Sequence, residues 1–115
     1  GLRVEGATYF SLFQWLPGEP GDQVDFRLRF RGKVSVGSRF VITIQGMNRQ
    51  GKLWASAREA EVPPGEYPEW RVLARQVELP EDTAWYSIGF RFNQQMPGDY
   101  MELDDLQVST WRDDA

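Results

Sequence analysis

An all-β chain folded as an antiparallel β-sandwich is what this sequence predicts, and three observations carry the expectation. Apolar and polar residues alternate with a period of two along most of the chain, proline and glycine punctuate the segments between, and no stretch keeps a helical period. Successive side chains of a strand point to opposite faces, so a period of two assigns one face to a core and the other to water.

The first strand is expected at residues 7–15, before Pro17-Gly18. The clearest comes next: Val24, Phe26, Leu28 and Phe30 alternate without error with Asp25, Arg27, Arg29 and Arg31, which places the first set inward and the second outward. Residues 39–45 are β-branched and central in character, with Phe40, Ile42 and Ile44 inward. After a turn at Asn48-Arg49-Gln50-Gly51, residues 53–62 read as a strand with Trp54, Ser56 and Arg58 on one face, ended by Pro63-Pro64-Gly65. Residues 69–79 follow, stopped at Pro80. Glu81-Asp82-Thr83 turns the chain into residues 85–92, where Tyr86, Ile88, Phe90 and Phe92 share the inner face. A loop at residues 94–99 precedes a closing strand at residues 100–109, in which Asp104-Asp105 interrupts an apolar set of Leu103, Leu106 and Val108. Carboxylates left dry beside such neighbours are costly, so the pair must meet water, backbone N–H groups or a cation. Seven strands result, with no repeat and no internal linker.

At 115 residues the chain suits one domain, residues 1–115, and its 41% hydrophobic and 14% aromatic content fits a folded globule. The absence of cysteine and histidine removes disulfides, thiolate nucleophiles, Cys-ligated zinc and the commonest general base. A formal charge of -4 opposes binding to nucleic acid, and no apolar run is long enough to suggest a membrane span. The start at Gly1-Leu2-Arg3, without methionine or a signal peptide, suggests a piece of a longer chain with a covalently linked parent domain.

Three motifs occur in order: Gln14-Trp15-Leu16 running into Pro17-Gly18-Glu19-Pro20-Gly21-Asp22, Tyr67-Pro68-Glu69-Trp70 opening a strand that ends at Leu79-Pro80, and Tyr100-Met101-Glu102-Leu103-Asp104-Asp105-Leu106. Together they resemble the jelly-roll carbohydrate-binding modules of the family 4/9 type, within the galactose-binding-like group, over nearly the whole chain. The resemblance implies a polysaccharide or oligosaccharide partner, a non-catalytic role beside an attached enzyme or surface protein, and a secreted, periplasmic or cell-surface location. It also implies a structural calcium near Asp104 and Asp105. The sequence departs from the pattern at its start, where the segment that usually comes ahead of the stretch matched by Leu2-Arg3-Val4 is absent. Two carboxylates supply only part of the six to eight oxygens that calcium takes.

Sugar binding on a β-sandwich calls for aromatic faces that stack on pyranose rings and planar polar groups that bond hydroxyls in pairs. Trp54 and Trp85 fall on outward-reading positions, where they either stack on a ligand or are covered by a loop or neighbouring domain. Trp15 and Trp70, at strand ends, read as core, and Trp111 lies in the tail. Gln45, Arg91, Gln94 and Gln95 are the expected polar partners, bordering one shallow groove with Trp85. Arg27, Arg29 and Arg31 form a stripe at roughly 7 Å spacing that suits acidic glycans. Arginine enrichment is nevertheless global, 11 arginines against 2 lysines, which favours a solvated face. The pairs Glu59/Glu61 and Glu102/Asp104 have spacing compatible with a glycosidase, but the small size of the domain argues against catalysis. The alternative to sugar binding is a structural or protein-interaction domain that packs its outer face within a larger protein.

Overall fold

The computed structural model describes residues 1–19, 21–80 and 83–112, with the backbone alone for residues 10–13. Its strands are β1 (Leu2–Glu5), β2 (Tyr9–Pro17), β3 (Gln23–Val34), β4 (Arg39–Met47), β5 (Arg58–Val62), β6 (Gly65–Glu78), β7 (Trp85–Asn93) and β8 (Tyr100–Trp111). They form two four-stranded antiparallel sheets, in the orders β1-β8-β3-β6 and β2-β7-β4-β5. The all-β antiparallel sandwich is therefore present. No helix among the described residues is long and apolar enough to cross a membrane.

The core lies where the two inner rows meet. Val24, Phe26, Leu28 and Phe30 of β3 face Phe40, Ile42 and Ile44 of β4 and Tyr86, Ile88, Phe90 and Phe92 of β7, all buried. The Phe40 and Phe92 rings stack at 4.7 Å, and Phe30 meets the edge of Tyr67 at 5.5 Å. Each such side chain contributes about 1.5–3 kcal/mol on leaving water. The Tyr86 hydroxyl shares a 2.6 Å hydrogen bond with Thr110 Oγ1, which ties β7 to β8 across the sandwich and satisfies a phenol buried in the apolar layer.

Three features depart from the sequence expectation. β1 is an additional strand, pairing Leu2 with Leu103 and Val4 with Met101; four residues are too few for alternation to stand out. Residues 53–57 are not part of a strand, because β4 ends at Met47 and offers them no continuous edge beyond one bridge from Met47 to Leu53. β8 changes phase midway: Arg27 pairs Gln107 but Arg29 pairs Asp104, so one extra residue sits opposite Leu28, with Asp105 at φ 53°. Met101 and Leu103 before the bulge, and Val108 after it, all face inward, whereas Leu106 within it is exposed.

A buried carboxylate fixes one end. Asp99 is buried and accepts from Ser35 Oγ at 2.6 Å, Met96 N–H at 3.0 Å and Ser35 N–H at 3.2 Å, joining the β3–β4 turn to the β7–β8 loop. Burial pushes the Asp99 carboxyl up, but these bonds, with Ser38, outweigh it and hold the group below the usual carboxylate range. Gly32 allows β8 to approach β3, since a Cβ there would lie 2.1 Å from the Tyr100 carbonyl oxygen.

Candidate functional site

The outward row of β2-β7-β4-β5 brings together most of the polar and aromatic groups singled out in the sequence. Register sets them in cross-strand ranks: Pro17, Trp85 and Met47; then Trp15, Ser87 and Gln45; then Gly89, Thr43 and Glu59; then Arg91, Val41 and Glu61. The middle of the sheet is low because its residues are small. Ser87 is 6% exposed and Val41 0%, although both face away from the core, since Trp15 and Gln45 flank the serine while Arg91 and Glu61 flank the valine. A shallow trough results, with indoles toward one end and charged groups toward the other.

Trp85 occupies the expected outward position and is 43% exposed. Trp15 joins it as a half-buried outward side chain, contrary to its expected place in the core. β2 is apolar on both faces, so alternation alone does not decide which way its indole turns.

Arg91 lies on the trough with its Nη2 3.6 Å from Glu59, while Arg39 binds Glu61 through Nε at 2.9 Å and Nη2 at 3.4 Å. The cations and carboxylates at this end therefore cancel in pairs. The hydrogen bond from Arg39 holds the Glu61 carboxyl below its ordinary range. Gln45 accepts from the Gly46 N–H at 2.9 Å through its own Oε1, which leaves its amide NH2 as a donor over the trough. Two buried polar atoms of adjacent ranks, Thr43 Oγ1 and Arg91 Nε, have no hydrogen-bond partner. Buried polar atoms are seldom left this way, and both of these are shut off from solvent beneath the outward row.

Three expected site residues lie elsewhere. Trp54 is not an outward platform: its ring folds onto Gly46, where a Cβ would come within 2.1 Å of the indole, and it packs half-buried against the core. Its N–H donates to the Gly46 carbonyl at 2.8 Å and its Nε1 to Thr83 Oγ1 at 3.2 Å. A glycine eight positions earlier decides this, because only a residue without a side chain leaves room for the indole at the end of the inner layer. Gln95 acts as a clasp for the segment after β1, accepting from Ala7 N–H at 2.9 Å and donating to the Val4 carbonyl at 3.2 Å. Gln94 is exposed in the same turn at φ 56°, its N–H bonded to the Thr8 carbonyl.

Asp104 and Asp105 sit at the β8 bulge on the opposite sheet. Asp104 Oδ1 accepts from the Asp105 N–H at 2.9 Å, and the Asp105 carboxylate meets Arg29 at 3.2 Å. Among the described residues no group of three or more acidic side chains is arranged to hold a metal ion. Trp70, also expected in the core, lies half-buried on this outer face with the guanidiniums of Arg29 and Arg31 over its ring at 5.0 and 4.5 Å. The arginine stripe is thereby largely committed, since Arg31 also binds Glu102 at 2.8 Å.

No protein-family model matches the chain, and no curated protein matches it. Among solved structures it is similar to the enzymatically active domain of bacteriophage CBA120 tailspike protein 4, with TM-score 0.65 and 18% identity, covering 89% of this chain and 14% of that one. The chain thus spans a small part of the tailspike. It is also similar to a family 16 carbohydrate binding module, with TM-score 0.69 and 7% identity, covering 93% of this chain and 74% of that one. At such identities the likeness concerns the backbone alone, an antiparallel β-sandwich shared with that module.

Proposed function

We propose that this chain is a non-catalytic carbohydrate-binding module of the family 4/9 type, holding an attached enzyme or surface protein near a polysaccharide outside the cytoplasm. The observation that carries the reading is the outward row itself: the indoles of Trp15 and Trp85 lie beside Gln45 on one sheet face, with Arg91 further along it. Indole faces stack on the C–H faces of sugar rings, while the Gln45 amide and the Arg91 guanidinium bond hydroxyls. Similarity to a carbohydrate binding module supports the reading at the level of fold.

Chemistry at the paired carboxylates is disfavoured by their environment. A glycosidase acid needs its pKa raised, whereas Glu61 is held low by Arg39 and Glu102 by Arg31 and Arg3. The test is retention on immobilised polysaccharides, followed by titration of soluble fragments with Trp85→Ala as control. Binding that is lost in the variant supports the proposal, and no retention on any polysaccharide removes it. A structural calcium at Asp104 and Asp105 is a separate part of the proposal, and it would have to displace the Arg29 contact. Its test is thermal melting with calcium and with chelator, in which equal midpoints remove the metal.

A further inference from the structure

The outer face of the other sheet carries a groove that the first site does not use. It has a volume of about 620 Å³, within the range of small-ligand sites, and lies over β3 between β6 and β8. Two cross-strand ranks line it: Gln76 and Ser109 flank Asp25, and Ala74 and Gln107 flank Arg27. Ala74 provides the depression. Among the described residues the side chains of Gln76, Arg27 and Gln107 have no partner, while Asp25 accepts from Trp111 Nε1 at 2.9 Å. That bond pins the indole one cross-strand rank beyond the residues that line the groove, with 42% of its surface exposed.

We infer that this groove is a second saccharide-binding site, taking a neutral sugar ring against Trp111 and bonding its hydroxyls through Arg27, Gln76 and Gln107. Two amides and a guanidinium are planar donors that match vicinal hydroxyls in pairs. Asp25 offsets Arg27, and the other lining cation, Arg75, is turned back onto the Ala74 carbonyl at 2.8 Å. β3, the floor of the groove, is paired on both sides and offers no backbone edge to a ligand, while the edge of the sheet belongs to β6 at the rim. The two sites lie on opposite sides of the sandwich, and the module would hold two glycan strands at once. This inference does not depend on the first site being occupied.

The test is an amide and indole NMR titration of the 115-residue chain with cellohexaose, xylohexaose and mannohexaose. The Trp111 and Trp85 indole N–H signals are expected to shift with separate saturation curves for at least one of these sugars. Gln76→Ala combined with Gln107→Ala should weaken the Trp111 response about tenfold and leave that of Trp85 intact, with an unchanged melting midpoint. Trp85→Ala should do the reverse. A Trp111 signal unmoved by all three sugars at millimolar concentration overturns the inference while leaving the first site standing if Trp85 still responds. Loss of the Trp111 response in Trp85→Ala overturns it too, since one site would then account for both signals. A Trp111 shift that follows protein concentration instead of sugar means a second copy covers the groove, and likewise overturns it. A Trp111 response with none from Trp85 supports the groove and removes the first site instead.

Discussion

The two outer faces of the sandwich obey the same alternation yet become different surfaces. On β2-β7-β4-β5 the central positions are small or sunken, Ser87, Gly89 and Val41, and longer side chains rise around them. On β1-β8-β3-β6 the central strand presents Arg27, Arg29 and Arg31; the last two turn sideways onto Trp70, Asp105 and Glu102. Relief on that face appears where Ala74 interrupts the long side chains. The difference teaches that facing outward does not by itself make a residue available. Availability depends on the size of the cross-strand neighbour and on whether a charge beside it is already paired.

The largest effect that would sharpen this contrast is at Trp54, which belongs to neither outer face. Trp54→Ala should cost about 3 kcal/mol in urea unfolding, through the cavity left beside Gly46, while glycan affinity per folded molecule stays constant. A variant that keeps its stability but loses glycan would return Trp54 to the recognition surface.

Next is Asp99, which joins the turns at one end of both sheets. Asp99→Ala should cost about 2 kcal/mol at neutral pH, because the Ser35 and Met96 N–H groups lose their acceptor. The native carboxyl is depressed relative to the unfolded chain. Its contribution is therefore present above the unfolded value near pH 4 and is lost as pH falls through the lower folded value. Asp99→Asn should show a flatter acid limb when denaturation midpoints are compared between pH 3 and pH 7, and an unchanged slope would remove this role.

Trp85→Ala should weaken glycan binding about tenfold while altering unfolding stability by about 0.5 kcal/mol or less, the pattern of a residue that contacts ligand more than core. A large stability loss would break the comparison by making Trp85 structural. The smallest effect is expected at Arg39→Gln, which removes the solvent-screened pair with Glu61: the urea midpoint should stay at that of the parent chain, with Arg91-dependent binding retained.

Much of the fold was legible in single residues. The unbroken alternation from Val24 to Arg31, and the shared parity of Tyr86, Ile88, Phe90 and Phe92, gave the inner rows directly, and Trp85, Gln45 and Arg91 followed as their outward complements. What remained hidden depended on distant neighbours. Trp54 turns inward because Gly46 lacks a side chain, and Gln95 is drawn from the groove by the backbone of Val4 and Ala7. Trp15 and Trp70 looked like core because apolarity does not distinguish a buried ring from one lying under arginines or beside a serine. The turn expected at Glu81-Asp82-Thr83 falls partly outside the described residues, since residues 81 and 82 are not described.

The inserted residue in β8 works as a mechanical index for the whole closing strand. With it, even-numbered Val108 and Thr110 turn toward the interior and odd-numbered Gln107 and Trp111 toward solvent, the reverse of the parity set by Met101 and Leu103. Deleting Leu106 would close the bulge and leave Gln107, Val108 and Trp111 facing as they do, and the residue it would turn inward is Asp105, opposite Leu28. A single-codon loss at this point would therefore keep both rows of the closing strand and place a carboxylate on the apolar side, which isolates the cost of the bulge from the cost of the register.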